Sequence, residues 1–547
     1  MNARQANPWA ALSALCLGFF MILLDTTIVS IAIPNMLDKL NTGLNSVVWV
    51  ISVYLLTYAV PMLFTSRLGD RFGPKRVFLA GLVVFTAASL WCGLSGSVEM
   101  LIAARAVQGL GAALMTPQTL AFITHLFAPA KRGPAMGAWG GVAGLATIAG
   151  PLLGGVLVDH LGWEWIFFVN VPIGVIAIVL TVLLVPDWQP KHAHSFDFIG
   201  IFLSAAGLFC LVFGVQNGQQ YDWGTVFGGI TVFEFIGAGV VLLVAFVLWQ
   251  KYNRREPLVP LGVFGNRNFS AGTLTATTVG FTMTGMFLPL IIYIQTVLGL
   301  SPTLAGVLTA PMSLLSGVIA PFVGRASDRI NGKYLVMGGL TLLAVGIGII
   351  ALQARPDTSP WALIPALLVC GLGIGCIFSP MSNLTMASVQ PQLAGTASGI
   401  FNTARQVGGV LGSAAIGVLL QARISASITD EAATAAAQLP EQYRQPFADG
   451  IAHAAAATGE FGSSGGAPAP MPGLPADLAA QAGRLASEAV HNGLTDAARA
   501  TLVLPIVVLL LGVLSAAFLR RVTPRPTPTT SAPTSSTATS TDAPATA

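Results

Sequence analysis

The sequence predicts an all-α membrane protein made of two six-helix bundles with two further helices inserted between them, about fourteen spans in all. Three observations predict it. Hydrophobic residues make up 54% of the 547 and charged residues only 9%, against about 25% charged in an ordinary soluble domain, and the mean hydropathy is +0.75. Apolar runs long enough to cross a bilayer recur along the chain, and part of the pattern occurs twice.

The runs fall at about 9–33, 47–65, 77–95, 100–123, 135–158, 165–185, 198–215, 228–249, 269–294, 302–324, 334–352, 361–386, 397–420 and 501–519. The first is too long, and too poorly matched to a small-residue cleavage site, to be a signal peptide, so it stays as helix 1. RLGDRFGPKR (Arg67 to Arg76) returns as GRASDRINGK (Gly324 to Lys333), which sets Asp328 and Arg329 on Asp70 and Arg71. VQGLGAALMTP (Val107 to Pro117) returns loosely as VCGLGIGCIFSP (Val369 to Pro380). Each match lies at the same place in its helix succession, so helices 1–6 and 9–14 read as parallel halves. A substrate site is then expected between them near the midplane. The expected units are 1–185, the inserted helices 7 and 8 with their loops over 186–268, 269–519, and a tail over 520–547.

Two segments lie outside the membrane in this reading. Residues 421–500 are rich in Ala, Gly and Pro, with room for short Ala-rich helices but no large apolar core, and are expected to be a mobile, partly ordered extracytoplasmic loop; a substrate-capturing cap is the alternative. The tail after Arg525 is Pro, Thr, Ser and Ala, has nothing to bury, and is expected to be disordered.

Charge sets the orientation. With a cytoplasmic amino terminus, the inner segments hold Arg4, Arg67, Arg71, Lys75, Arg76, Lys131, Arg132, Lys191, Lys251, Arg254, Arg255, Arg267, Arg325, Arg329, Lys333, Arg520, Arg521 and Arg525, while the short outer loops hold only Lys39 and Arg355. Positive residues favour the cytoplasmic side, so both termini are expected there. The five cysteines all fall in apolar stretches without metal-ligand or disulfide spacing and read as packing residues.

Asp25 is an ionisable residue within the last third of the first apolar run. A carboxylate at that depth costs a few kcal/mol unless it meets water or a partner, so it marks a substrate or proton pathway by default. Arg105 stands on helix 4, otherwise uncharged until His125. At 1.5 Å per residue, Asp25 lies roughly 13 Å and Arg105 roughly 8 Å below the outer surface, so the two can share a cavity. The alternative is an Arg105 that snorkels to the headgroups and an Asp25 bonded to neighbouring backbone. Asn402, Arg405 and Gln406 fall inside helix 13, where they either line the cavity or bind a carbonyl of a neighbouring helix. Glu234, near the outer end of helix 8, reads as interfacial. With so little negative charge at depth, neutral or monocationic amphipathic compounds should be carried better than compact dications.

LLDTTIVSIAIP (Leu23 to Pro34), RLGDRFGPKR, RAVQGLGAALMTP (Arg105 to Pro117), GPLLGGVLVD (Gly150 to Asp159), WEWIFFVNVPIG (Trp163 to Gly174) and the inserted pair, in this order, resemble the major facilitator superfamily, and within it the fourteen-helix drug:proton antiporters. The resemblance implies a proton-coupled exporter of amphipathic drugs or antibiotics, working by alternating access as a monomer in a bacterial cytoplasmic membrane. It implies no cofactor beyond the proton as coupling ion and no nucleic-acid partner. By the same resemblance, Asp25, Arg105 and Gln108 serve proton coupling and the cavity. Asp70, Arg71, Lys75 and Arg76, with Asp328 and Arg329, form an inner gate latch that tightens when the transporter faces outward. Gly150, Pro151, Gly154 and Gly155 form the antiporter motif of helix 5. Ser66 and Pro74 depart from the usual latch pattern, and Ala146 from the usual helix 5 pattern.

Export of one endogenous metabolite and, less so, nutrient uptake are the alternatives within the class. A membrane enzyme or receptor would need a constellation that is missing: the sequence has no GxxxxGK[ST] and no HExxH. No metal site is expected.

Overall fold

The structure, a computed structural model, describes residues 7–127, 129–187, 197–253, 257–387, 389, 393–457 and 476–520. The apolar runs fold as α1 (Pro8–Lys39), α2 (Leu44–Ala59), α3 (Pro74–Gly93), α4 (Val98–Leu126), α5 (Pro129–Leu161), α6 (Trp165–Leu184), α7 (Phe198–Asn217) and α8 (Val232–Tyr252). They continue as α9 (Arg267–Val297), α10 (Pro302–Arg329), α11 (Gly332–Gln353), α12 (Pro360–Met386), α13 (Ala394–Ala436) and α14 (Ala476–Ala517). Among the described residues, twelve helices are long and apolar enough to cross a membrane, and two shorter apolar ones, Leu44–Ala59 and Ala149–Leu161, accompany them. The expected count of about fourteen is reached with these two included.

Local chemistry starts several helices where it should. Asn7 accepts from the Trp9 amide at 3.0 Å with Pro8 behind it, and Ser301 accepts from the Leu304 amide at 3.3 Å with Pro302 in the first turn. The run at 47–65 divides at Pro61, after which the short helix Met62–Phe72 carries the first basic motif. Gly73, at φ 92°, turns the chain from that helix into α3 through a backbone conformation that side chains disfavour. Glu234 completes a capping box at the start of α8, its carboxylate accepting from the Thr231 amide at 2.6 Å.

The two halves meet chiefly along α5 on α10 and α2 on α13, with smaller contacts of α1 on α9 and α10, and of the helix Met62–Phe72 and α4 on α13. At the end away from the basic loops, Gln295 of α9 donates to the Ile31 carbonyl at 3.0 Å, and the Thr303 amide donates to Asp159 at 2.8 Å. Ser52 and Ser413 bond at 2.8 Å across the α2–α13 seam. These contacts close the molecule at that end.

α7 and α8 pack on one another, and α7 leans on α2 and α13. Asn45 and Trp49 of α2 donate to Asn217 at 2.9 and 3.2 Å. At the other end Asp197 caps α7 and also accepts from Trp249 at 2.8 Å and Gln250 at 2.7 Å, joining α7 to α8. Burial pushes the Asp197 carboxyl up, but the Gln250, Gly200, Trp249 and Leu258 donors together hold it below its ordinary value. The opposite side of the pair is apolar and exposed, as at Phe233 and Val241, which suits a lipid-facing surface.

The reading of 421–500 as a loop without an apolar core is corrected. α13 continues to Ala436, a further helix spans Glu441–Ala457, and α14 begins at Ala476. They bury Ile424, Ile428, Leu439, Phe447, Ile451, Leu485 and Leu494 together with many alanines. Alanine is the strongest helix former, and apolar residues at helical spacing give these segments a packing face despite low mean hydropathy. A small antiparallel pair, Thr225–Phe227 with Ile230–Thr231, also stands in the loop before α8, where no strand was expected. The Gly- and Pro-rich stretch 458–475 and the tail from 521 lie outside the described residues.

Candidate functional site

α1, α3, α4 and α6 of the amino-terminal half converge on Asp25, which is fully buried. Its Oδ2 accepts from Arg105 Nη1 at 2.5 Å, and its Oδ1 accepts from Gln108 Nε2 at 2.9 Å and Asn170 Nδ2 at 3.4 Å. Arg105, only 1% exposed, donates from Nε to the Val50 carbonyl of α2 at 3.2 Å and from Nη1 to Gln108 Oε1 at 2.7 Å. Its guanidinium lies 4.0 Å from the Tyr54 ring centroid. Ser89 of α3 accepts from Gln108 and Asn170, both at 3.2 Å, and donates to the Phe167 carbonyl at 3.0 Å.

Two opposite charges out of water hold each other only when further hydrogen bonds satisfy them, and this cluster supplies those bonds. Arg105 is therefore buried against its partner and does not reach the headgroups. Two polar atoms of the site are buried without a hydrogen-bond partner among the described residues, the Tyr54 hydroxyl and Asn170 Oδ1. Asn170 and Ser89 were not singled out from the sequence, although Asn170 is the one amide in the motif WEWIFFVNVPIG, and the stretch from Trp165 to Gly174 is otherwise apolar.

The helix 5 motif sits between the halves. The α-carbon of Gly150 faces Thr27, and that of Gly154 faces Ile28, both just beyond Asp25 on α1. A β-carbon at Gly155 would stand 2.5 Å from the Pro302 carbonyl oxygen and 2.7 Å from Thr303 Cα, the first turn of α10, while Gly306 of α10 packs on the Pro151 carbonyl. Backbone cannot yield as a flexible side chain can. Gly155→Ala is therefore expected to hold the far end open and to cut transport about tenfold or more, an effect of the size of one to two kcal/mol on the closed state. Labelling of single cysteines placed at the α5–α10 contact, from the outside, checks this; unchanged labelling would show that the seam tolerates the methyl group.

At the basic end, Asp70 and Arg71 end the helix Met62–Phe72, Asp70 half-buried and Arg71 exposed. Lys75 donates to the carbonyls of Val182 at 3.0 Å and Val185 at 2.6 Å, where it meets the negative end of α6. Arg76 faces Asp187 at 3.7 Å, both exposed. Lys75 and Arg76 thus bind within their own half here, while Arg67 reaches the Pro257 carbonyl ahead of α9 at 2.5 Å. Asp328 and Arg329 lie on the last turn of α10, and their side chains are outside the described residues.

In α13, Asn402 donates to the Ser398 carbonyl of its own helix at 2.9 Å. Arg405 is half-buried with its guanidinium 6.0 Å from the Phe378 ring centroid, and Gln406 lies beside the Tyr58 hydroxyl of α2. Among the described residues no group of three or more His, Cys, Asp or Glu could hold a metal ion.

A membrane-embedded helical protein of two facing bundles, with a buried ion pair and a glycine-lined seam, is built like a secondary transporter. The Major Facilitator Superfamily profile matches residues 15–413, and the chain belongs to that family. It is 48% identical over 451 residues to an uncharacterized MFS-type transporter, Rv1250, of Mycobacterium tuberculosis, covering 81% of this chain and 77% of the relative. It is 36% identical over 436 residues to the tetracenomycin C resistance and export protein of Streptomyces glaucescens, covering 79% of each. It is 33% identical over 434 residues to the puromycin resistance protein of Streptomyces alboniger, covering 78% of this chain and 85% of the relative. In fold it is similar to a bacterial homolog of the human lysosomal transporter Spinster, in an inward-facing and unoccupied conformation, with TM-score 0.58 and 16% identity over 96% of this chain and all of that one. A D-xylose–proton symporter gives TM-score 0.55 at 13% identity, covering 75% of this chain and 90% of that one. The chain is a multi-pass membrane transporter.

Proposed function

We propose that this transporter exports amphipathic drugs or antibiotics from a bacterial cytoplasm, drawing on the proton gradient through Asp25. The observation that carries the reading is the buried Asp25–Arg105 pair, in a chain related to proteins named for antibiotic resistance and export. With Asp25 ionised, its oxygens tie α1 to α4 and α6. A proton taken up by Asp25 removes the charge opposite Arg105, which keeps the Val50 carbonyl, Gln108 and the Tyr54 ring as partners. α1 is then released at Thr27 and Ile28, where it packs on Gly150 and Gly154, and α5 carries the change to α10. The bistable element is the contact of the two halves, and both the proton and the substrate bias it.

In this reading both termini are cytoplasmic and the protein works as a monomer with the proton as its coupling ion. We read the contacts of Lys75 and Arg76 at the end of α6 as those of a released inner latch, which fits a molecule closed at the far end. Asp70→Asn is then expected to favour the inward-open state and to lower transport more than substrate binding. Cysteine accessibility from the cytoplasmic side reports the shift, and unchanged accessibility with normal transport would leave the motif a topology signal alone. The primary test is drug resistance and drug accumulation in cells with and without the gene: no difference over a panel of aromatic antibiotics would contradict the proposal.

A further inference from the structure

Between the halves, the described charges do not cancel. Asp25 is already committed to Arg105, and that pair is neutral as a unit. Arg405 is left over. It rises from α13 about 16 Å above the start of that helix, close to midplane, by the rise of an α-helix. Among the described residues no carboxylate pairs with its guanidinium and no carbonyl accepts from it; its aromatic neighbour is the Phe378 ring of α12, 6.0 Å away, while Tyr58 on α2 is buried with its hydroxyl bonded to Thr116 at 2.8 Å. Arginine stays charged in proteins, and its five donors form a planar fork matched to an oxyanion. A half-buried guanidinium that lacks an anion, with an aromatic ring beside it, has the composition of a site for an aromatic acid.

We propose that Arg405, with Phe378 beside it, receives the acidic group of the transported compound, so that the favoured substrates are aromatic amphiphiles carrying a carboxylate, phenolate or enolate. The inference rests on the export reading above and names its substrate class. The ring system lies along Phe378, and the oxyanion accepts from the guanidinium. A cation meets an uncompensated positive charge there, which strengthens the expectation that dications are poor substrates. Because α13, which carries Arg405, packs on α2 of the amino-terminal half, an acid bound there lies at the seam of the two halves, as a ligand that shifts their equilibrium must.

Inverted membrane vesicles energised by a pH gradient test this with anthraquinone-2-carboxylic acid and its uncharged methyl ester, in wild type, Arg405→Gln and Arg405→Lys. The expected result is that Arg405→Gln transports the acid about tenfold or more slowly while ester transport stays within about twofold, since a charge-assisted bond is lost and the apolar wall is not. Arg405→Lys, which keeps the charge and loses the fork, should fall between. Ester transport and a monodisperse elution profile serve as folding controls. Acid transport that survives Arg405→Gln overturns the inference, and so does a loss shared equally by acid and ester. If wild type moves other drugs but neither member of the pair, the substrate class is wrong while export stands. If wild type moves no drug at all, the export reading itself fails.

Discussion

Asp25→Asn is expected to abolish gradient-driven export. The amide keeps the shape of the carboxylate and can still meet Gln108 and Asn170, but it cannot exchange a proton. Substrate binding should persist, since Asp25 is fully buried in the amino-terminal half and is saturated by its own partners. Facilitated movement down a substrate gradient should persist as well. Uphill transport by this variant at the wild-type rate would remove Asp25 from the coupling mechanism.

Arg105→Gln should produce the second large effect, on stability as well as transport. It leaves Asp25 buried with amide donors but no cation, and removing one member of a buried ion pair costs roughly 3–5 kcal/mol. The measurable outcome is a lowered unfolding temperature of the detergent-solubilised protein together with loss of uphill transport. Combining Asp25→Asn with Arg105→Gln removes both charges, so the double variant should be more stable than the sum of the single losses predicts, yet still unable to couple. Strict additivity would show that the pair contributes nothing as a pair and that its role is local packing.

The spans were legible because lipid demands them: a stretch without charge for about twenty residues has few other uses. Asp25 and Arg105 were legible for the complementary reason, that a charge at such depth needs an explanation. Their meeting at α1 and α4 was legible only as a shared depth, because helix rotation is set by packing and hydropathy does not report it. Ser89, Asn170 and Tyr54 were illegible, since neutral polar residues are common in membrane helices and become informative only beside a charge. The helices of 421–500 were obscured by alanine, which scores low as a core residue yet packs closely when two helices approach. Lys75 and Arg76 find partners at the end of α6, Val182, Val185 and Asp187, that a loop motif read alone does not specify.

Purified protein in proteoliposomes, with an imposed pH gradient and an aromatic antibiotic from the resistance panel as the probe, puts proton-coupled export to its most direct test. Substrate should accumulate against its own gradient with protons moving the opposite way, the accumulation should collapse when a protonophore is added, and Asp25→Asn should show neither uphill accumulation nor coupled proton movement. Undiminished uphill accumulation in wild type after the pH gradient is collapsed, or accumulation without proton movement, would contradict the account.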